Sequence, residues 1–220
     1  MVTRKPALLC VVLTAAGGFL AGVAGAPAAG AAPCPDVEVV FARGTNEPPG
    51  PGFVGQAFTD SLGAQLPGRS VTLYAVNYPA NDDYLRSAAA GTDDATTHIE
   101  GTLAACPDTR IVLGGFSQGA AVTEMSTSAL PPQAADRVAA VALFGDPSSE
   151  FSRMLAGGSP LPTVAPAYGS KTIDLCLPDD PICSPGANMM AHVSYVPSGL
   201  AAQAAAFVAG KVGPPMEEGS

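Results

Sequence analysis

Ile111-Val112-Leu113-Gly114-Gly115-Phe116-Ser117-Gln118-Gly119-Ala120-Ala121 is the stretch whose reading decides the fold. An apolar run with two β-branched residues meets a glycine pair, and after Ser117 the residues are small and helix-compatible as far as Ser126. The segment therefore reads as strand, sharp turn, helix. Within it, Gly115-Phe116-Ser117-Gln118-Gly119 has the G-x-S-x-G spacing of a nucleophile elbow. The serine of an elbow stands on strained backbone, and glycine is needed two residues to either side because a Cβ there would block the approach of strand and helix. Its hydroxyl is presented at a helix N-terminus, where free N–H groups and the helix dipole stabilise a developing oxyanion. A glycine-flanked serine is also found in plain packing turns, so the chemistry has to be tested against the rest of the chain.

Working outward, Asp36 to Ala42 alternates and then becomes fully apolar, as a strand does on entering the middle of a sheet. Gly55 to Leu66 has helical spacing and is stopped by Pro67-Gly68, and Ser70 to Tyr78 reads as a second strand. A helix is expected over about Thr92 to Ala105, preceded by a shorter helical turn. Thr109 to Phe116 is the strand of the elbow and Gln118 to Ser126 its helix. Val138 to Phe144 is another apolar strand. After Gly145-Asp146-Pro147 the pattern weakens, resuming with a short strand at Thr172 to Leu175. A final helix over Ser198 to Val212 turns Leu200, Ala204, Phe207 and Val208 inward. Alternating strands and helices predict an α/β/α sandwich on a parallel sheet, with functional loops at the strand C-termini. No internal repeat and no second domain is legible.

Charge and cysteines bound the function. Residues 1–32 carry Arg4-Lys5, an apolar run from Ala7 to Ala26 and a small-residue stretch, the layout of a secretory signal peptide. The domain is then expected at 33–212, followed by a frayed tail at 213–220. Removing Arg4 and Lys5 leaves eight basic against 19 acidic residues, a net charge of −11, which disfavours nucleic acid as a partner. No later segment is long and apolar enough to span a membrane, and a monomer is the default expectation. Cys10 leaves with the signal, and Cys34, Cys106, Cys176 and Cys183 form the even set that an exported domain pairs as disulfides. Three pairings are possible. Cys176 and Cys183, seven apart around Pro-Asp-Asp-Pro, look like a local clip, which leaves Cys34 with Cys106. With no C-x-x-C pair and two histidines in the whole chain, no metal or other cofactor is expected.

A nucleophilic Ser117 needs a base. His98 lies in a polar helical stretch and reads as a solvated surface residue. His192 follows the elbow by 75 residues in Met189 to Tyr195, which reads as a short apolar loop-to-strand segment, and fits the chain order serine, acid, histidine. The acid must lie between them. Asp180 sits inside the cysteine clip, whose constraint would hold a carboxylate in place, with Asp146, Asp174 and Asp179 as rivals that could equally cap turns. For an oxyanion hole, the Gln118 N–H is one donor and Thr45, in the loop after the first strand, the other. Taken alone, Arg43-Gly44-Thr45 reads as an ordinary turn.

Phe41-Ala42-Arg43-Gly44-Thr45-x-Glu47, the elbow, Cys176-x3-Asp180-x2-Cys183 and Ala191-His192 together resemble the cutinase family, in particular its secreted mycobacterial cutinase-like branch. The resemblance implies a small lidless α/β-hydrolase with a five-stranded, mostly parallel sheet that hydrolyses carboxylic esters through an acyl-enzyme. It implies Ser117 as nucleophile, Asp180 as acid, His192 as base, Thr45 and Gln118 as oxyanion donors, and the bridges Cys34 to Cys106 and Cys176 to Cys183. Fungal members often carry serine where Thr45 stands, so the hydroxyl contribution is less secure than the backbone one. The expected substrate is a short- to medium-chain acyl ester or a lipid-like or polymeric ester. Acetylxylan-type, lipase or phospholipase activity, or a non-catalytic cell-wall-associated role, are the alternatives. Phe116, Pro79, Leu177, Pro181 and Val193 are expected along an acyl groove.

Overall fold

The computed structural model describes residues 33–213. The expected signal segment and residues 214–220 of the expected tail lie outside the described residues. Five parallel strands, β1 (Val37–Ala42), β2 (Val71–Ala75), β3 (Arg110–Phe116), β4 (Val138–Phe144) and β5 (Thr172–Leu175), form one sheet in the order β2-β1-β3-β4-β5. The alternation of β1 explains how both faces are covered. Val37, Val39 and Phe41 point to a core shared with α1 (Gly52–Gln65) and α6 (Leu200–Val212). Val40 and Ala42 point to the opposite core, shared with α2 (Tyr84–Ala105) and α3 (Gln118–Ala129). All seven residues of β4 are buried, as a central parallel strand requires. Phe41, Phe58 and Phe144 meet in tilted and edge-on pairs with centroids 5.8 to 6.2 Å apart and fill the α1/α6 side.

Strand order reverses between β1 and β3, so the connections leaving these neighbours diverge and open a crevice at their C-terminal ends. Thr45 follows β1, and Ser117 follows β3, at that crevice.

Several elements differ from the sequence expectation. α2 is one continuous helix from Tyr84, because Gly91 does not break it. A Cβ at position 91 would come within 2.9 Å of Val122 Cγ2, so the glycine serves the close packing of α2 on α3. A short helix, α4 (Glu150–Leu155), occupies the segment where the pattern weakened, and the Ser149 hydroxyl caps it by accepting the Ser152 N–H at 3.0 Å. His192 closes the single turn α5 (Met189–His192), not a strand entry, and Asn188 Oδ1 caps that turn by accepting the Met190 N–H at 3.0 Å. α6 turns Ala201, Ala204, Ala205, Val208 and Val212 inward, while Leu200 and Phe207 are only partly buried. Cys34 pairs with Cys106 and Cys176 with Cys183.

Candidate active site

Ser117 has φ 55° and ψ −121°, a conformation that L residues adopt only when the surroundings impose it. The imposition is steric and local. A Cβ at Gly115 would lie 2.0 Å from the Gly119 carbonyl oxygen, and a Cβ at Gly119 would lie 1.9 Å from the Ala42 carbonyl oxygen. Both glycines thus let α3 start directly against β1 and β3, and Ser117 N–H donates to the Phe144 carbonyl at 2.9 Å.

His192 and Asp180 are brought together from α5 and the cysteine clip. Nδ1 of His192 lies 2.8 Å from Oδ2 of Asp180, and both residues are buried. An ionised carboxylate can only accept, so Nδ1 carries the proton and Nε2 keeps its lone pair. Burial pushes the Asp180 carboxyl up, but hydrogen bonds from His192, Tyr195 and the Ile182 N–H outweigh it and hold the group below its ordinary value. Phe116 stacks on the imidazole with centroids 4.8 Å apart, and Gly145 backs it, since a Cβ there would come within 2.9 Å of His192 Cε1. The rival acids do not reach His192. Asp146 is buried beside Glu124, Asp179 is exposed at φ 65°, and Asp174 lies in β5. His98 is not the solvated residue expected. It is half-buried, stacks on Tyr74 and sits 3.1 Å from Glu38, tying α2 to β1.

Ser117, His192 and Thr45 line one cavity of about 520 Å³ at the end of β3, and Phe53, Phe151, Leu155, Ile182 and Val193 make its walls apolar. Of the groove residues expected from sequence, Phe116 and Val193 line it. Pro79, Leu177 and Pro181 do not, and Leu177 packs against the α1/α6 core instead. α4, an element the sequence pattern did not disclose, supplies Phe151 and Leu155 to this wall.

The loop carrying Thr45 is braced from two sides. Glu47 accepts the Gly44 N–H at 2.6 Å and the Phe53 N–H at 2.9 Å, while the buried Arg43 guanidinium donates to the Tyr78 carbonyl at 2.7 Å. Gln118 is fully buried. Its side chain accepts the Ser87 hydroxyl at 3.0 Å and donates to the Asn81 carbonyl at 3.0 Å, which fixes the first residue of α3. Among the described residues the backbone N–H groups of Thr45 and Gln118 have no hydrogen-bond partner, so they are free to donate to an oxyanion. Ser87, Asn81 and Tyr195, which support this geometry, went unnoticed in the sequence. Only Tyr195, in the same short apolar segment as His192, carried a signal. Among the described residues there is no cluster of metal-ligating side chains, and no helix is long and apolar enough to cross a membrane.

An open parallel sheet with a serine elbow at the end of its central strand defines an α/β-hydrolase. The cutinase family profile matches residues 33–212, and the chain belongs to the cutinase family. It is a carboxylic ester hydrolase. Carboxylesterase Culp1 of Mycobacterium tuberculosis is 60% identical over 202 residues, covering 92% of this chain and 93% of the relative. Phospholipase Culp4 of the same species is 50% identical, covering 95% and 92%. Among solved structures, a Trichoderma reesei cutinase bound to a phosphonate inhibitor is similar with a TM-score of 0.67 at 35% identity, covering 83% of this chain and 78% of that one. The catalytic core of an acetyl xylan esterase from the same fungus gives 0.70 at 26% identity, covering 81% and 100%.

Proposed function

We propose that the protein is a secreted serine esterase that hydrolyses carboxylic esters of short- to medium-chain acyl groups through an acyl-enzyme on Ser117. The observation that carries this reading is that His192, hydrogen-bonded through Nδ1 to the buried Asp180, shares one apolar cavity with the elbow serine. His192 Nε2 takes the Ser117 proton as Oγ attacks the ester carbonyl, and Asp180 stabilises the resulting imidazolium. The N–H groups of Thr45 and Gln118 receive the oxyanion. Collapse expels the alcohol, which takes its proton from His192. A water activated by the same imidazole then releases the acid.

The apolar walls favour an acyl chain over a sugar ring as the group held beside Ser117. Phospholipids are the second substrate class to consider, in view of the similarity to Phospholipase Culp4. The disulfides and the N-terminal pattern support export, with cell-wall association as one destination.

Replacing Ser117 by Ala should abolish turnover of p-nitrophenyl butyrate, and retention of a tenth of wild-type activity would overturn the mechanism. A chain-length series of such esters, run beside acetylated xylan and a phospholipid, distinguishes the substrate classes.

A further inference from the structure

Asp180 has no solvent exposure, and a buried carboxylate is tolerated only when donors satisfy it. Its two oxygens are served differently. Oδ1 accepts the Ile182 N–H at 2.9 Å, whereas Oδ2 accepts both the His192 Nδ1–H at 2.8 Å and the Tyr195 hydroxyl at 2.7 Å. The direction of the tyrosine proton follows from its neighbours. The phenolic oxygen accepts the Leu177 N–H at 3.2 Å, and Cys183 Sγ at 3.5 Å is a disulfide sulfur, a weak acceptor at best. Tyr195 is fully buried, so its hydroxyl cannot turn to water. Asp180 is the one strong acceptor it has among the described residues.

The ring has no room to move either. Phe116, Phe144 and His192 pack edge-on around it at centroid distances of 5.8, 6.1 and 6.4 Å. Leu177 follows Cys176 in sequence, so the hydroxyl also links both ends of the cysteine clip to the acid.

We propose that Tyr195 is a positioning residue for ester hydrolysis: by donating to the oxygen that also receives His192, it fixes the Asp180 rotamer and takes up part of the charge that Oδ2 presents to the imidazole. The role rests on the reading of Ser117, His192 and Asp180 given above. Two donors on one oxygen compete for its charge. Without the tyrosine, Oδ2 presents more charge to the imidazolium, which is stabilised, so His192 becomes a free base only at higher pH. Burial, with the adjacent Asp180, holds the phenol far above its ordinary value, so it remains a donor throughout the working range.

Tyr195→Phe keeps the ring and removes only the hydroxyl. With p-nitrophenyl butyrate between about pH 5 and 9, kcat should fall roughly 10- to 100-fold while KM stays within about twofold. The acid limb of kcat/KM should move up by roughly half a unit or more. The low-field proton resonance of His192 Nδ1–H should shift in the same variant. A purely structural tyrosine predicts a lower Tm with the limb and the resonance of the folded protein unmoved, and that result overturns the proposal. If Tyr195→Phe does not fold, 3-fluorotyrosine at position 195 preserves the shape and strengthens the donor. The limb should then move down, and an unmoved limb again overturns the role. Asp180→Asn separates the two levels: a variant with more than a tenth of wild-type activity removes the triad reading itself, and the tyrosine's role with it. An inactive Asp180→Asn beside a Tyr195→Phe enzyme with the wild-type limb removes the tyrosine's role alone.

Discussion

A methyl group at position 119 would sit 1.9 Å from the Ala42 carbonyl oxygen and 2.6 Å from that of Arg43, and both are backbone atoms at the end of a buried strand. Alanine should favour α3 by about 1 kcal/mol through helix propensity, yet overpacking against a core that cannot yield costs typically ~1–3 kcal/mol and more when backbone is displaced. The steric cost wins. Gly119→Ala should therefore lose about 2 kcal/mol in urea unfolding and lose esterase activity, since Ser117 moves with the turn. Gly101→Ala is the control. It lies exposed on α2 with no atom within 4 Å of an added Cβ, and it should gain about 0.5–1 kcal/mol with activity unchanged. Equal effects at the two sites would remove the elbow argument. The spacing of Gly115 and Gly119 was legible because this constraint is local to five residues. The side-chain support of Gln118 was not, because Ser87 and Asn81 are 31 and 37 residues away and look like ordinary polar residues of a loop and a helix.

At the scale of elements, the two disulfides should separate function from stability. Cys34 and Cys106 are 72 apart, and in the chain-entropy account such a loop contributes roughly 4 kcal/mol, against roughly 2–3 kcal/mol for the seven-residue separation of Cys176 and Cys183. The longer bridge ties the chain ahead of β1 to the end of α2, away from the cavity. The shorter one frames Asp180 and its partners Leu177 and Tyr195. Cys34→Ser with Cys106→Ser should lower Tm more but leave kcat of the folded protein near wild type. Cys176→Ser with Cys183→Ser should lower Tm less and reduce kcat at least about tenfold, because the acid loses its frame. Paired Tm and kcat measurements decide it, and parallel losses in both variants would contradict this division. The clip could be read from sequence because its cysteines enclose a turn. α4 could not, since six residues between glycine- and proline-rich flanks carry too little periodicity to distinguish a helix from a loop. Phe116 and Val193 were placed on the apolar wall correctly, but Phe151 and Leu155 of α4 were missed, and His192 was placed ahead of a strand when a one-turn helix holds it.

For the molecule as a whole, the layers behind the cavity are joined by carboxyls rather than by an ion pair. Glu124 of α3 and Asp146, just after β4, are both buried, and Glu124 Oε2 and Asp146 Oδ1 find no donor among the described groups. Two acceptors share a hydrogen bond only when one carries a proton, and the groups facing the pair, Asp174 from β5 and the Tyr84 phenol from α2, bring no positive charge. Burial, reinforced by the neighbouring carboxylates, pushes Asp146 up to about 7 and Glu124 up to about 9. In the unfolded chain both groups titrate near 4. Between about pH 4 and 9 the folded state therefore holds more protons than the unfolded one, and stability falls as pH rises through that window. The contribution is fully present below the unfolded values and is lost once pH passes the folded ones. Asp180 and Asp36, held below their ordinary values, act in the opposite sense at the acid end, where stability is lost as pH falls through their folded values. Glu124→Gln isolates the pair, because its amide donates permanently to Asp146 without a proton to lose. Its Tm should match or fall slightly below wild type near pH 5 and exceed it near pH 9, by an amount corresponding to about 1–2 kcal/mol. Thermal unfolding of both proteins across this range is the test. Parallel curves would show that the pair does not share a proton in the folded protein, and a wild-type curve that rises towards pH 9 more steeply than that of Glu124→Gln would reverse the sign.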